Sequence, residues 1–351
     1  EMTVAGHGED RLTGSFAGLR VLDFSTTIAG PHCTRMLADC GAEVIKVETD
    51  EGETMRTRPP VRNQCSTAFG QLNIGKNSVV LDLKSPQGLE IVRRLIASAD
   101  VLVENFRPGV MKRLGLDWEA VRELNPRLVY CSISGYGQQG EKSDRPSYAP
   151  IVQAASGHDL ANFYYQDELT RPANAGLFPA DILAAAYATI AIQSALLQRA
   201  RTGRGQHLDV TLMESIISIM IYEFQEAQFP SDKRRLLYEP ARTADGFVVI
   251  APITQRNFEN MCEAMGHPEW KTDARLVDAH ARREHWAFMM SLIRDWTATR
   301  SSEDCERLLL AAGVPCSRYA TLREVIADPH FRQRGSFASV DDGAGAYLVQ
   351  N

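Results

Sequence analysis

An aspartate stands at the head of the longest apolar helix that the chain encodes. The stretch "GLFPADILAAAYATIAI" (176–192) reads as a turn, a Pro, Asp181 and an Ala-rich helix. A carboxylate at that position has two available roles. It can cap the helix by accepting an orphan backbone N–H of the first turn. It can also act as a nucleophile, kept ionised and aimed by the helix start. Local sequence leaves both open.

Other residues could surround such a group. The turn "STTIAGP" (25–31) joins a strand to a helix, and backbone N–H groups at a helix start favour anions. It lacks G-x-G-x-x-G, so spacing alone also fits a plain βα turn. Glu48 ends the next strand, roughly where a dinucleotide site keeps its ribose-binding acid. In "ENFRPGVMKRLG" (104–115), Asn105 and Phe106 end a strand beside Arg107, Lys112 and Arg113. That grouping suits a base and phosphates, or a solvated basic helix face. Lys76 lies in the turn "NIGKN" (73–77), which by itself reads as surface. His158 in "SGHDLANF" and His32 are each either an acid/base group or a polar residue of no special role. No two histidines have metal-ligand spacing, so no metal site is expected.

The elements that must hold these residues alternate. Strands are predicted at 18–25, 42–49, 78–84, 100–106 and 127–137, with helices between, and then a helix from Asp181 to about residue 201 and a strand at "HLDVTLM". This is the pattern of a doubly wound α/β layer. Residues 138–175 are loop-rich and polar. Beyond Pro230 the strand "FVVIAPI" and helices at 255–266, 281–298, 303–312 and 322–327 indicate a smaller α+β domain. Ser301/Asp304 and Thr321/Glu324 are capping-box patterns. The expected division is a disordered lead-in over 1–16, a large domain over 17–229, a small one over 230–334, and a return segment to the large domain over 335–351, which reads as a strand pair cut short.

With 351 residues, two domains are expected rather than one. The 44% hydrophobic and 23% charged content is that of an ordinary globular chain, and the net charge of −6 argues against a nucleic-acid partner. Seven scattered cysteines without a C-x-x-C pair suggest reduced thiols and a cytoplasmic setting. No run reaches about 18 uninterrupted apolar residues, so no membrane span is expected.

Taken together, "VLDFSTTIAGPHCTRMLADCGAEVIKVE", "LNIGKNSVVLDLKSPQGLEIVRRLIASADVLVENFRPGVMKRLGL", "LNPRLVYCSISGYG" and "QRARTGRGQHLDVTLMES" resemble the family III CoA-transferases, the CaiB/BaiF family, over roughly residues 17–340. The resemblance implies a doubly wound large domain plus a smaller α+β domain, in a homodimer whose two chains interlock as rings. It implies transfer of CoA from an acyl-CoA donor to a carboxylic acid, with Asp181 as the nucleophile passing through an anhydride and an aspartyl-CoA thioester. Around CoA it implies Thr27, Ile28 and Ala29 in the first turn, Leu72 and Lys76 flanking the nucleotide, Asn105 and Phe106 at the strand end, and Arg113 and Arg145 as basic contacts. Family members usually continue past this chain's end.

Departures from the family pattern matter. An arginine after the second strand is Thr49 here, which leaves Arg56 or Arg58 to supply that phosphate contact. The glycine-rich loop of formyl-CoA transferases is not visible, which argues against formate/oxalate exchange. Two alternatives share the resemblance: an α-methylacyl-CoA racemase using His158 and Asp181, and a non-catalytic acyl-CoA-binding homologue. Against the racemase, its small-domain Glu is Thr254 here. The loop carrying Tyr148, His158, Tyr164 and Tyr165 is expected to shape the acyl pocket, and Arg171 or Arg242 to hold a second carboxylate of a small dicarboxylate.

Overall fold

The computed structural model describes residues 3–4, 14–166, 169–173, 176–230 and 235–351. They fall into two compact units: the described part of Glu1–Pro230 with Gly335–Asn351, and the described part of Ser231–Arg334.

The first unit is built on six strands, β1 (Arg20–Asp23), β2 (Glu43–Glu48), β3 (Asn77–Val80), β4 (Val101–Glu104), β5 (Val129–Ser134) and β6 (Gln206–Thr211). All neighbours are parallel, in the order β3-β2-β1-β4-β5-β6. Strands β4 and β5 are buried at every residue, as a sheet covered on both faces requires. Side chains alternate between the faces with the two-residue period of a strand. Val21, Val101, Val103 and Cys131 belong to one core, and Leu22, Leu102, Leu128 and Tyr130 to the other.

Nine helices of this unit concern the site: α1 (Ala29–Asp39), α2 (Thr67–Asn73), α3 (Pro86–Ala97), α4 (Val110–Arg113), α5 (Trp118–Leu124), α6 (Ala149–Ala155), α7 (His158–Tyr164), α8 (Pro179–Thr202) and α9 (Leu212–Ile217). On the first face α8 presents Ala180, Ala184, Ala185, Ala188, Ile192 and Ala195 to the core, beside Cys33 and Leu37 of α1 and Leu212 and Ile216 of α9. Small side chains let these helices approach closely, so α8 is seated rigidly along its length. By length and composition α8 could cross a membrane, contrary to the sequence reading, but its alanine face belongs to this core. On the other face Val92 and Ile96 of α3 and Val121 of α5 join Leu22, Leu102 and Tyr130. Each large apolar side chain so buried contributes about 1.5–3 kcal/mol.

Parts of the lead-in expected over 1–16 are ordered. Thr3–Val4 pairs antiparallel with the strand Phe337–Asp341, and the Phe16 N–H donates to the Cys40 carbonyl at 2.9 Å. Residues 1–2 and 5–13 lie outside the described part.

The second unit contains an antiparallel sheet of β7 (Ala241–Arg242), β8 (Phe247–Ile250) and β9 (Cys316–Arg318), in that order. Around it run α10 (Gln255–Met265), α11 (Ala279–Glu284), α12 (Trp286–Thr297), α13 (Ser302–Ala311), α14 (Leu322–Ala327) and α15 (Pro329–Gln333). The helix predicted over 281–298 is two helices broken at His285 (φ −113, ψ 34), which turns Met289, Met290, Ile293 and Trp296 into the core. Thr321 and Glu324 form a full capping box, whereas Ser301 accepts only from the Asp304 N–H. Back in the first unit, β10 (Phe337–Asp341) and β11 (Ala346–Gln350) form a hairpin whose Val340 and Val349 pack on Ile74.

Candidate active site

Five chain segments converge beyond the carboxyl ends of β1, β4 and β5. The order β3-β2-β1-β4-β5-β6 reverses direction between β1 and β4, and open parallel sheets bind ligands at that crevice. A cavity of about 240 Å³ lies there. Its walls come from the β1–α1 turn (Thr26, Thr27, Ile28, Ala29), the β4–α4 turn (Asn105, Phe106, Arg107, Pro108), the end of β5 with the following loop (Ser134, Gly135, Arg145, Tyr148), and Asp181 with Leu212.

The first turn is clamped in an unusual shape. Thr27 has φ 72, in the left-handed region that a residue with a β-branch rarely adopts. Its N–H donates to Glu53 Oε1 at 2.6 Å. The Asn105 amide grips the neighbouring residue on both sides, accepting from Thr26 N and donating to Thr26 O, each at 2.8 Å. One residue past the lining, Gly30 is required: a Cβ there would stand 2.1 Å from Ser25 Cβ. Helix α1 begins with no side-chain cap, and among the described residues no side chain accepts from the Ala29 or Gly30 N–H.

Behind this turn lies a buried ionic network. Asp23 is fully buried and accepts from Ser25 N (2.9 Å), Thr34 Oγ1 (2.7 Å) and Lys76 Nζ (2.9 Å). Burial alone would raise the Asp23 pKa, but Lys76, Lys46 and the hydrogen bonds from Ser25 and Thr34 together hold the carboxyl well below the usual range. Lys46 donates to the Ser25 carbonyl at 2.7 Å and pairs with Glu53 at 2.8 Å. The chain Lys76–Asp23–Lys46–Glu53 therefore ends on the Thr27 N–H.

This changes the reading of several residues. Lys76 spends its donors on Asp23, the Pro31 carbonyl and Asn73 Oδ1, and burial lowers its pKa to about 8. It supports the turn and has no N–H left for a phosphate. Leu72 packs with Met55 and Phe69 and does not line the cavity. Glu48 and Arg56 form a two-pronged pair at 2.8 and 2.6 Å, with Ser78 on the same carboxylate at 2.6 Å. Arg56 also lies over the Phe69 ring, and the Glu48 carboxylate is taken up by Arg56, Ser78 and the Glu53 N–H. Arg113 is exposed on α4, outside the cavity lining. His158 is outside it too, its Nδ1 held 2.9 Å from Asp159.

Asp181 is not the helix cap. Helix α8 starts at Pro179, and the cap position is Phe178, which offers no side-chain acceptor. Asp181 is thus the third helical residue, in the first turn, where the helix dipole favours an anion. Among the described residues its carboxylate has no hydrogen-bond or ion-pair partner. Burial alone pushes its pKa up to about 6. An ionised, under-solvated carboxylate facing a cavity is a competent nucleophile.

The sequence reading passed over Glu104. This buried carboxyl ends β4, accepts the Phe106 N–H at 2.9 Å and so fixes the second turn. Burial raises its pKa to about 7, even though Ser132 and the Phe106 N–H favour its ionised form. The sequence does carry a signal: an acid, Glu104, directly follows the apolar strand residues "VLV" (101–103). Gly135 is a second close approach, since a Cβ would lie 1.9 Å from Ser147 Oγ. Among the described residues no group of three metal-ligating side chains occurs.

Known proteins match this chain over nearly its full length. The sequence profile of CoA-transferase family III matches residues 16–351. The chain is 35% identical to the succinyl-CoA–D-citramalate CoA-transferase of Chloroflexus aurantiacus, over 95% of this chain and 85% of that one. It is 34% identical to the succinate–glutarate CoA-transferase of Agrobacterium fabrum, over 91% and 83%. A solved CaiB/BaiF family protein from Brucella suis superposes with a TM-score of 0.81 at 34% identity, covering 92% of this chain and 89% of its own. With its parallel sheet, its switch-point cavity and these matches, the chain belongs to CoA-transferase family III.

Proposed function

We propose that this enzyme moves CoA from an acyl-CoA to a short dicarboxylic acid through covalent intermediates on Asp181. The observation that carries the reading is the unpartnered carboxylate of Asp181 on the cavity wall, with a pKa raised by burial to about 6. The carboxylate attacks the donor thioester carbonyl. The C–S bond breaks, CoA leaves as thiolate, and an acyl-aspartyl anhydride remains. The thiolate then attacks the aspartyl carbonyl and expels the donor acid, which leaves an aspartyl-CoA thioester. The acceptor carboxylate attacks that thioester and releases thiolate again. In the last step the thiolate takes the acceptor's acyl group and Asp181 is regenerated.

Thr27, Ile28, Ala29, Asn105 and Phe106 form the wall along which pantetheine would run, and the open N–H groups of α1 face developing negative charge. Arg107 and Arg113 are exposed and suit the CoA phosphates, and Arg145 and Tyr148 suit the acid. Dicarboxylates are favoured because the relatives' names specify succinate, glutarate and citramalate. The racemase reading gains no support, because it needs two groups on one carbon and His158 does not line the cavity.

A second copy of the chain is part of the proposal. Ile182, Tyr187, Ile190 and Leu197 of α8, with Ile221 and Phe224, are large apolar side chains left exposed in one copy. Patches of that kind mark contact surfaces. The seven free thiols suit a reducing cytoplasm.

Incubating the enzyme with succinyl-CoA and labelled succinate tests the reaction. Label should enter the CoA ester. Because Asp181 must be ionised, kcat/KM should fall as pH drops through about 6, approaching tenfold per further pH unit. Absence of exchange with every acyl-CoA and acid pair would leave a binding protein instead.

A further inference from the structure

The second unit has a cavity of its own, about 980 Å³, lined among others by Tyr238, His280, Arg282, Arg283, Trp286 and Met289. Arg282 is only 5% exposed, yet no carboxylate pairs with it among the described residues. One of its nitrogens, Nη1, donates to the Leu276 carbonyl at 2.8 Å, and the guanidinium lies 4.4 Å above the Phe258 ring. Among the described residues its Nε and Nη2 donors have no hydrogen-bond acceptor. An arginine stays charged in proteins, and a buried charge without a counter-ion is costly. Burial accordingly pulls its pKa down.

The acids nearest this group are already engaged. Asp278 caps α11 by accepting from His280 N and Ala281 N at 2.9 and 2.8 Å, and Glu259 accepts from Gln255 at 3.0 Å. On the same cavity wall, the Trp286 indole N–H is buried without an acceptor among the described residues. The Tyr238 and Trp286 rings lie 5.0 Å apart, and Met289 and Leu236 extend the apolar wall.

A planar fork of donors matches a carboxylate, and an aromatic wall matches an apolar body. We propose that the second unit contains a binding site for a small carboxylic acid with an apolar or aryl body, its carboxylate held by the fork of Arg282. Inorganic phosphate shares the charge but has no use for the aromatic wall. This site is separate from the reading of Asp181 and does not depend on it.

Calorimetric titration of the full chain with 3-phenylpropionate, its neutral amide and inorganic phosphate is the test. The carboxylate should bind at least about tenfold more tightly than the amide and more tightly than phosphate. Arg282→Lys keeps the charge but loses the fork, and should weaken binding about tenfold. Trp286→Phe keeps the packing and should weaken it several-fold, whereas Asp181→Asn should leave it unchanged. Circular dichroism checks that each variant is folded. If Arg282→Lys does not fold, Trp286→Phe and the acid–amide ratio decide. Equal affinity for acid and amide, preference for phosphate, or folded variants at Arg282 and Trp286 with unaltered binding would overturn the site.

Discussion

Asp181→Asn is expected to abolish CoA transfer, lowering kcat by roughly 10⁴-fold or more, the scale seen when a covalent nucleophile is removed. The amide cannot form the anhydride, and nothing else on the cavity wall is an ionised carboxylate. Acyl-CoA affinity should change little, because the wall proposed for CoA is built from the two turns at 26–29 and 105–108. The same variant should be more stable than the parent at neutral pH. The Asp181 pKa is raised from 3.8 to about 6 in the folded chain, so its contribution to stability is full below pH 3.8 and lost as pH rises through about 6. Removing the charge should recover on the order of 1–3 kcal/mol at pH 7, read from denaturant midpoints. A variant that is inactive because it is less stable would point to a structural role instead.

Lys76→Met should act on the fold before it acts on the ligand. It leaves the buried Asp23 with Lys46, whose ammonium is 3.9 Å away, as its nearest cation. Breaking one partner of a buried pair costs about 3–5 kcal/mol. The loss should appear as a lowered urea midpoint, and CoA affinity of the folded enzyme should weaken only as far as the Thr27 turn relaxes. Unchanged stability with a tenfold rise in the KM for acyl-CoA would mean that Lys76 holds a phosphate after all.

The contrast between these two residues shows what the sequence carries. Strands such as "RVLD" and "VLVE" are legible because a covered parallel strand has to be an apolar run, and α8 because a long Ala-rich segment between Pro179 and Gly203 has few other uses. The cavity is legible in part, because strand ends followed by Thr27–Ala29 and Asn105–Phe106 must meet where strand order reverses. What local spacing conceals is pairing across the chain. Lys76 in a turn reads as exposed, yet Asp23 and the Pro31 carbonyl hold its ammonium from other elements. Glu48 suggests a ligand contact, and its carboxylate is taken up by Arg56. The cap reading of Asp181 missed by three residues because Pro179 already opens the helix behind Phe178. The break at His285 is equally hidden, since periodicity runs straight through it.

The central claim is a covalent intermediate, and it can be trapped. The enzyme should be mixed with an acyl-CoA donor, quenched with hydroxylamine, digested and examined by mass spectrometry. The account predicts an aspartyl hydroxamate at Asp181, within residues 176–192, that appears only when donor is present. Turnover that proceeds with this peptide unmodified, or with the adduct on another residue, would contradict it.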